Sequence, residues 1–225
     1  MKPYYEEKGI TIYNCDCREL LPQLGPVDLV LTDPPYGINI AAKPNVGGTE
    51  RIKRGGFGNV RPSVFEISDW DKEAPSKETL TQVISASERA IIWGGNYFGL
   101  PGTSGWLVWD KDNAGTHFAD CELAWTNLPG AVRKFKWRWN GMLQENMGRK
   151  DFRQHPTQKP VALMKWCIQQ AGQPQTILDP FLGSGTTLRA AKDLGLSAIG
   201  IEIEEKYCEI AAERLRQEVF DFEVA

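Results

Sequence analysis

The sequence predicts an α/β fold built on a doubly wound, mostly parallel sheet with an antiparallel edge. Three observations carry this. Short β-branched runs alternate with amphipathic segments at both ends of the 225-residue chain, a pattern that puts parallel strands in mid-sheet and helices on its faces. Strand-like runs between residues 90 and 135 follow one another without long helices between them, as antiparallel neighbours can. With 41% hydrophobic and 24% charged residues, the chain can fill a core and lacks the charge excess of disordered sequences.

The elements follow in order. Ile10-Thr11-Ile12-Tyr13-Asn14 alternates and reads as a strand ending at Asp16. Leu20, Leu21 and Leu24 mark a short helix closed by Gly25-Pro26. Val27 to Thr32 is a second strand, stopped by Asp33-Pro34-Pro35. The stretch from about 38 to 65 is rich in Gly, Asn and Lys/Arg and reads as a long mobile loop. Leu80, Val83 and Ile84 give a helix after Pro75-Ser76. Strands are expected at 90–93, 106–109, 123–125 and 131–135. A helix from Pro160 ends before Gly172, and Thr176-Ile177-Leu178 runs as a strand into Asp179. Leu188, Ala191 and Leu194 form a helix stopped by Gly195, Ser197 to Ile201 a strand, and Tyr207 to Leu215 a last helix. The whole, 1–225, reads as one catalytic domain.

Composition also excludes. No run of about eighteen uncharged apolar residues is present, so a transmembrane helix is not expected. Residues Met1 to Lys8 lack the apolar core of a secretory signal. Five scattered cysteines argue against a disulfide framework and for a reducing, cytoplasmic setting. Cys15-x-Cys17 has no second Cys/His pair at useful spacing, so no metal site is expected.

The net charge of -3 conceals an uneven distribution. Residues 43–61 carry +4 from Lys43, Arg51, Lys53, Arg54 and Arg61 against Glu50. Residues 133–153 carry +5, with Lys134, Lys136, Arg138, Arg149 and Lys150 among the bases. Two basic segments on an acidic remainder are the footprint of a protein that meets phosphate on one face.

Two strings carry chemistry. In Asp179-Pro-Phe181-Leu-Gly183-Ser184-Gly185-Thr186 a glycine turn joins a strand to a helix, and glycines there admit positive φ and close backbone approach to a ligand. Leu188 stands where the dinucleotide fingerprint needs a third glycine, and no Gly-Lys-Ser/Thr follows. Asp179 would repel a pyrophosphate but suits positive charge. Glu202 closes the next strand nineteen residues beyond Gly183, where an acid that bonds ribose hydroxyls belongs. A nucleoside with a cationic side chain, such as S-adenosylmethionine, fits this set.

Thr32-Asp33-Pro34-Pro35-Tyr36-Gly37 is the more specific string. The prolines stiffen the backbone around Asp33 at the carboxyl end of its strand. Neither proline has an N–H, so carbonyls remain as acceptors. A carboxylate and a rigid carbonyl together accept both protons of one amino group, and Tyr36 offers a flat face for a ring. That arrangement favours a pyramidal amino nitrogen whose lone pair points at a methyl donor.

These strings together resemble the β-class, circularly permuted S-adenosylmethionine-dependent DNA amino-methyltransferases, in which the catalytic Asp-Pro-Pro-Tyr precedes the cofactor loop, as here. The resemblance spans nearly the whole chain. Asn14-Cys15-Asp16-Cys17 resembles the family's first strand end, whose acid lies near the cofactor adenine. Trp93 to Tyr97 resembles a further strand end. His155 to Pro160 resembles the segment whose lysine, here Lys159, lies close to the methionine carboxylate. Ile199 to Glu202, with Tyr207 and Arg214, completes the pattern.

The resemblance implies a Rossmann-like sheet of seven strands, with S-adenosylmethionine in one cleft and a flipped base in the next. Double-stranded DNA is then the partner, met by a monomer or homodimer without a membrane. Asp33 and Tyr36 are the expected catalytic residues, with Pro34 and Pro35 as scaffold. Cofactor contacts are expected from Asp16, Asp33, Lys159, Asp179, Phe181, Gly183, Ser184, Gly185, Thr186 and Glu202. The aspartate form points to adenine rather than cytosine. The family's target-recognition segment is small here. Residues 133–153 are its candidate, and Phe135, Trp137 and Trp139 read equally as a groove or as the buried face of a strand. Competing readings are a cytosine amino group, an amine in RNA or in a protein glutamine, and a catalytically silent nucleic-acid-binding subunit.

Overall fold

The computed structural model describes residues 1–39, 71–113, 119–140, 143–148, 154 and 157–217. The strands are β1 (Tyr5–Glu7), β2 (Ile10–Asn14), β3 (Leu29–Thr32), β4 (Ala90–Trp93), β5 (Trp106–Asp110), β6 (Cys121–Thr126), β7 (Arg133–Lys136), β8 (Trp139–Asn140), β9 (Leu143–Gln144), β10 (Thr176–Asp179) and β11 (Ser197–Glu202). The helices are α1 (Cys17–Leu20), α2 (Lys77–Ser85), α3 (Val161–Gln170), α4 (Thr186–Asp193) and α5 (Glu205–Arg216).

Nine strands form one sheet in the order β1-β2-β11-β10-β3-β4-β6-β5-β7, and β8 and β9 make a separate hairpin. The five strands β2, β11, β10, β3 and β4 pair in parallel. β6 runs antiparallel to both β4 and β5, which is the expected antiparallel edge. The inner seven strands equal in number those that the resemblance implies, and β7 is the strand expected at 131–135. β1 extends one side through an antiparallel pairing, Tyr5 opposite Ile12. β7 extends the other, parallel to β5.

The central strands are apolar on both faces because helices cover both. Leu29, Leu31, Ile91, Trp93 and Ile177 face a layer supplied by Leu163, Met164, Leu188, Cys208, Ala211 and Leu215 of α3, α4 and α5. Val30, Ile92, Leu178 and Ile201 face the other layer, with Cys17, Leu20 and Val83. Each such aliphatic side chain, fully out of water, contributes about 1.5–3 kcal/mol. Helix starts follow local chemistry. Ser76 accepts from the Thr79 N–H at the head of α2, and Asp16 accepts from the Arg18 N–H at the head of α1.

This topology decides where a ligand sits. β3 leads through α2 to β4 on one side, whereas β10 leads through α4 to β11 on the other. The strand order reverses between β10 and β3, and the crevice outside their carboxyl ends is the binding position of open α/β sheets.

Candidate active site

Asp33 follows β3 directly, Asp179 ends β10, Glu202 ends β11 and Asp16 follows β2, so all four carboxylates stand along one rim of the sheet. One continuous cleft of about 1240 Å³ is lined by Asp33, Pro34, Pro35 and Tyr36 from the catalytic string. The same cleft is lined by Asp16, Lys159, Asp179, Phe181, Gly183, Ser184, Thr186 and Glu202 from the expected cofactor set. The two hollows foreseen from sequence therefore open into each other.

The cofactor side is shaped by backbone. Gly183 and Gly185 have φ of 52° and 81°, and a Cβ on Gly185 would lie 2.8 Å from the Ala211 methyl of α5. Arg214 of α5 donates to the carbonyl and hydroxyl oxygens of Ser184 and to the Thr186 hydroxyl, holding the loop from behind. Glu202 accepts from the Gly183 N–H at 2.8 Å and from the Glu204 N–H at 2.9 Å. Asp179, 2% exposed, accepts from the Thr32 hydroxyl at 2.6 Å and the Phe181 N–H at 3.2 Å. Burial pushes Asp179 up to about 6 and Glu202 up to about 7. Two poorly solvated carboxylates at a positive-φ glycine turn fit a ligand that brings ribose hydroxyls and a positive charge. Asp16 caps α1 and pairs with the Arg18 guanidinium at the cleft wall.

The Asp33 side of the cleft is a network of charges. The Tyr36 hydroxyl donates to Asp33 Oδ1 at 2.7 Å, and Lys159 Nζ donates to Asp33 Oδ2 at 2.5 Å and to the Tyr36 oxygen at 3.1 Å. Lys159 lies just before α3, and its side chain is only 4% exposed. It thus turns its ammonium to Asp33, whereas the resemblance implied a place close to the methionine carboxylate of the cofactor. Lys159 also lies 3.1 Å from Glu122 Oε2 on β6, and Glu122 pairs with Lys111 as well. Desolvation raises Asp33 against the pull of Lys159, and the Glu122 charge raises it further. Burial also disfavours ionised Glu122, but Lys159 and Lys111 outweigh it and hold that carboxyl at about 2. Burial likewise works against the Lys159 ammonium, and Asp33 and Glu122 more than offset it.

Tyr36 is held on three sides. Asp71 Oδ1 accepts from the Tyr36 and Gly37 N–H groups at 2.8 and 3.0 Å, which fixes the turn. Tyr97 stacks on the Tyr36 ring with centroids 4.8 Å apart. Gly94, at φ 70°, passes so close that a Cβ there would lie 2.1 Å from the ring. The flat face expected for an incoming ring is therefore covered on one side by Tyr97.

Glu122, Lys111 and Asp71 were not foreseen. Glu122 sits in a strand pattern and Lys111 and Asp71 in loops, with partners far along the chain, and no local spacing marks them. Of the expected phosphate contacts, Lys43, Arg51, Lys53, Arg54, Arg61, Arg149 and Lys150 lie outside the described residues. Lys134 pairs with Asp110 at 3.1 Å, Lys136 with Asp112 at 2.7 Å, and Arg138 also with Asp112. Phe135 stacks on Trp137 and Trp166, both rings pack against the core, and Trp139 is buried. The three aromatics therefore pack inward, Phe135 from β7, Trp139 from β8 and Trp137 from the link between them. Among the described residues no His/Cys/Asp/Glu group could hold a metal, and no helix is long and apolar enough to cross a membrane.

Residues 103–213 match the model of a family described as DNA methylase, of the N6/N4 type. The chain is 26% identical to the type II methyltransferase M2.LlaDCHI of Lactococcus lactis subsp. cremoris over 266 aligned positions, covering 96% of this chain and 93% of that one. It is 25% identical to M2.DpnII of Streptococcus pneumoniae, with the same coverage. The solved complex of M1.HpyAVI with S-adenosylmethionine superposes with a TM-score of 0.55 at 25% identity, covering 91% of this chain and 99% of that one.

Proposed function

Because the chain is similar over nearly its whole length to DNA methyltransferases, we propose that it is an S-adenosylmethionine-dependent DNA amino-methyltransferase whose target is the exocyclic amino group of an adenine extruded from duplex DNA. The observation that carries this is Asp33 at the end of β3, in one cleft with the glycine turn and Glu202. The aspartate form of the catalytic string supports adenine over cytosine.

S-adenosylmethionine, when bound, supplies an activated methyl group. The residues that would hold it are Asp16, Asp179, Phe181, Gly183, Ser184, Gly185, Thr186 and Glu202. Glu202 would accept from the ribose hydroxyls, and the loop N–H groups and Asp179 would meet the polar and charged parts of the ligand. Lys159 stands between the two halves of the site.

An adenine amino nitrogen is a weak nucleophile because its lone pair is delocalised into the ring. Asp33 and the Pro34 carbonyl would accept its two hydrogens, and Tyr36 would flank the ring. Fixing the nitrogen in line with the donor methyl supplies most of the acceleration, since correct orientation alone can be worth about 7–11 kcal/mol. The methylated nitrogen is acidic, and its proton leaves to Asp33 or to water. Asp33 need not be a strong base beforehand.

Extruding the base costs a few kcal/mol, which phosphate contacts must offset. Lys43, Arg51, Lys53, Arg54 and Arg61 are the proposed source of those contacts, because Lys134, Lys136 and Arg138 already face carboxylates. The test is direct. Duplex DNA incubated with the protein and methyl-labelled S-adenosylmethionine, digested to nucleosides, should yield N6-methyladenine. N4-methylcytosine in its place would overturn the adenine assignment.

A further inference from the structure

Both oxygens of Asp33 are occupied before any base arrives: Oδ1 by the Tyr36 hydroxyl and Oδ2 by the Lys159 ammonium. A target amino group must take over at least one of these positions. The Tyr36 hydroxyl is neutral, so its displacement from Asp33 leaves no charge behind. The ammonium is different, because its side chain is 4% exposed and an unpaired charge cannot remain there.

A second acceptor is in place. Glu122 Oε2 lies 3.1 Å from Lys159 Nζ, is fully buried, and makes no hydrogen bond although the ammonium is in ion-pair range. Its other oxygen is engaged by Lys111, whose ammonium also lies over the Trp109 ring at 4.9 Å. Glu122 is thus anchored on one side and has an acceptor to spare on the other, facing Lys159.

We propose that Glu122 is a positioning residue that receives the Lys159 ammonium when a target amino group displaces it from Asp33. The inference rests on the amino-methyltransferase reading above. Lys159 then caps Asp33 in the resting protein, and a short movement of its Nζ towards Glu122 opens the acceptor without leaving a buried charge unpaired. The charges facing Asp33 are Lys159 from the segment before α3 and Glu122 from β6, with the Tyr36 hydroxyl beside it, and Lys111 after β5 faces Glu122 from the far side. Asp179 at the end of β10 is near enough to sense Asp33. Lys159 and Lys111 balance Asp33 and Glu122, so removing the Glu122 charge leaves one cation in excess and ties Lys159 to Asp33 alone.

The experiment combines turnover with an observable that needs no turnover. In Glu122→Gln, kcat should fall about tenfold or more, while the Kd for S-adenosylmethionine and for duplex DNA stay within about twofold. A 13C NMR titration of the Asp33 carboxyl in the ligand-free protein should show its midpoint moved to lower pH. Glu122→Asp, which keeps the charge, should restore the midpoint. In a Lys159→Met background, adding Glu122→Gln should leave kcat unchanged, while the midpoint still falls because the Glu122 charge also acts on Asp33 directly. Wild-type kcat and midpoint in Glu122→Gln would overturn the proposal, as would a full loss of kcat from Glu122→Gln persisting without Lys159. If Glu122→Gln alone fails to fold, the comparison of Lys159→Met with the double variant decides by the same criterion. Wild-type protein that methylates no nucleobase would refute the functional reading instead, while the titration still reports on the Glu122–Lys159–Asp33 relation.

Discussion

The Thr32 hydroxyl donates to the Asp179 carboxylate across 2.6 Å, between residues 147 positions apart in sequence. It joins the last residue of β3, next to Asp33, to the last residue of β10, next to the glycine turn. The proposed catalytic and cofactor halves are tied at the point where the strand order reverses. Thr32→Val keeps the shape and removes the donor. A buried acceptor that loses its partner costs about 1–3 kcal/mol, so thermal denaturation should show a lower Tm, and calorimetry a weaker affinity for S-adenosylmethionine.

If Glu202 holds the ribose as proposed, cofactor binding should depend on pH. Burial holds it up to about 7, so the folded protein binds this proton more tightly than the unfolded chain does. The associated stability is complete below the ordinary carboxylate range and is lost as pH rises through about 7. Ribose hydroxyls donate to the ionised form, so affinity should increase as pH rises through the same interval. Calorimetry in buffers of different ionisation enthalpy should register proton release on binding, and Glu202→Gln should abolish it.

Gly94 is required by the position of Tyr36. An alanine methyl would meet the ring at 2.1 Å and the backbone is at positive φ, so Gly94→Ala must displace Tyr36 or the turn. A shift of about 1 Å at a reacting group can cost about 10²-fold. Steady-state kinetics should show that loss in kcat, with cofactor affinity near wild type.

Asp33→Ala should abolish methyl transfer while changing cofactor affinity much less. Equal activity in this variant, measured by label transfer to duplex DNA, would rule out the catalytic assignment.

Arg51, Lys53 and Arg54 can be tested together through salt. Each phosphate contact contributes about 0.9 to the slope of log K against log salt concentration. Their joint replacement should weaken DNA binding and flatten that slope. Replacing Lys134 and Lys136, which already face Asp110 and Asp112, should flatten it less.

The strand ends were legible because their chemistry is local. Pro34 and Pro35 stop β3 immediately after Asp33, and glycines at 183 and 185 turn the chain between β10 and α4. Position along the sheet then follows from alternation alone, which brings Asp33, Asp179 and Glu202 to one rim. What escaped depends on distance in sequence. Glu122 reads as a polar position of an ordinary strand, and its partner Lys159 is 37 residues on. Asp71 reaches back to Tyr36 across the long basic segment, and no periodicity announces such a return. The aromatic run 135–139 left packing and groove equally open, and the contact of Phe135 with Trp166 of α3 decides for packing. β1 escaped because three residues are too short to show a period.

The clamp that Arg214 and Ala211 place on the glycine turn makes the C-terminal helix a silent partner in ligand recognition. Cutting the chain after β11 would spare nearly every side chain expected to touch the nucleoside, yet it would remove the buttress that bends the loop around it. Trimming at that end should therefore show as lost affinity together with lost stability, since Cys208, Ala211 and Leu215 also fill the layer beneath the sheet.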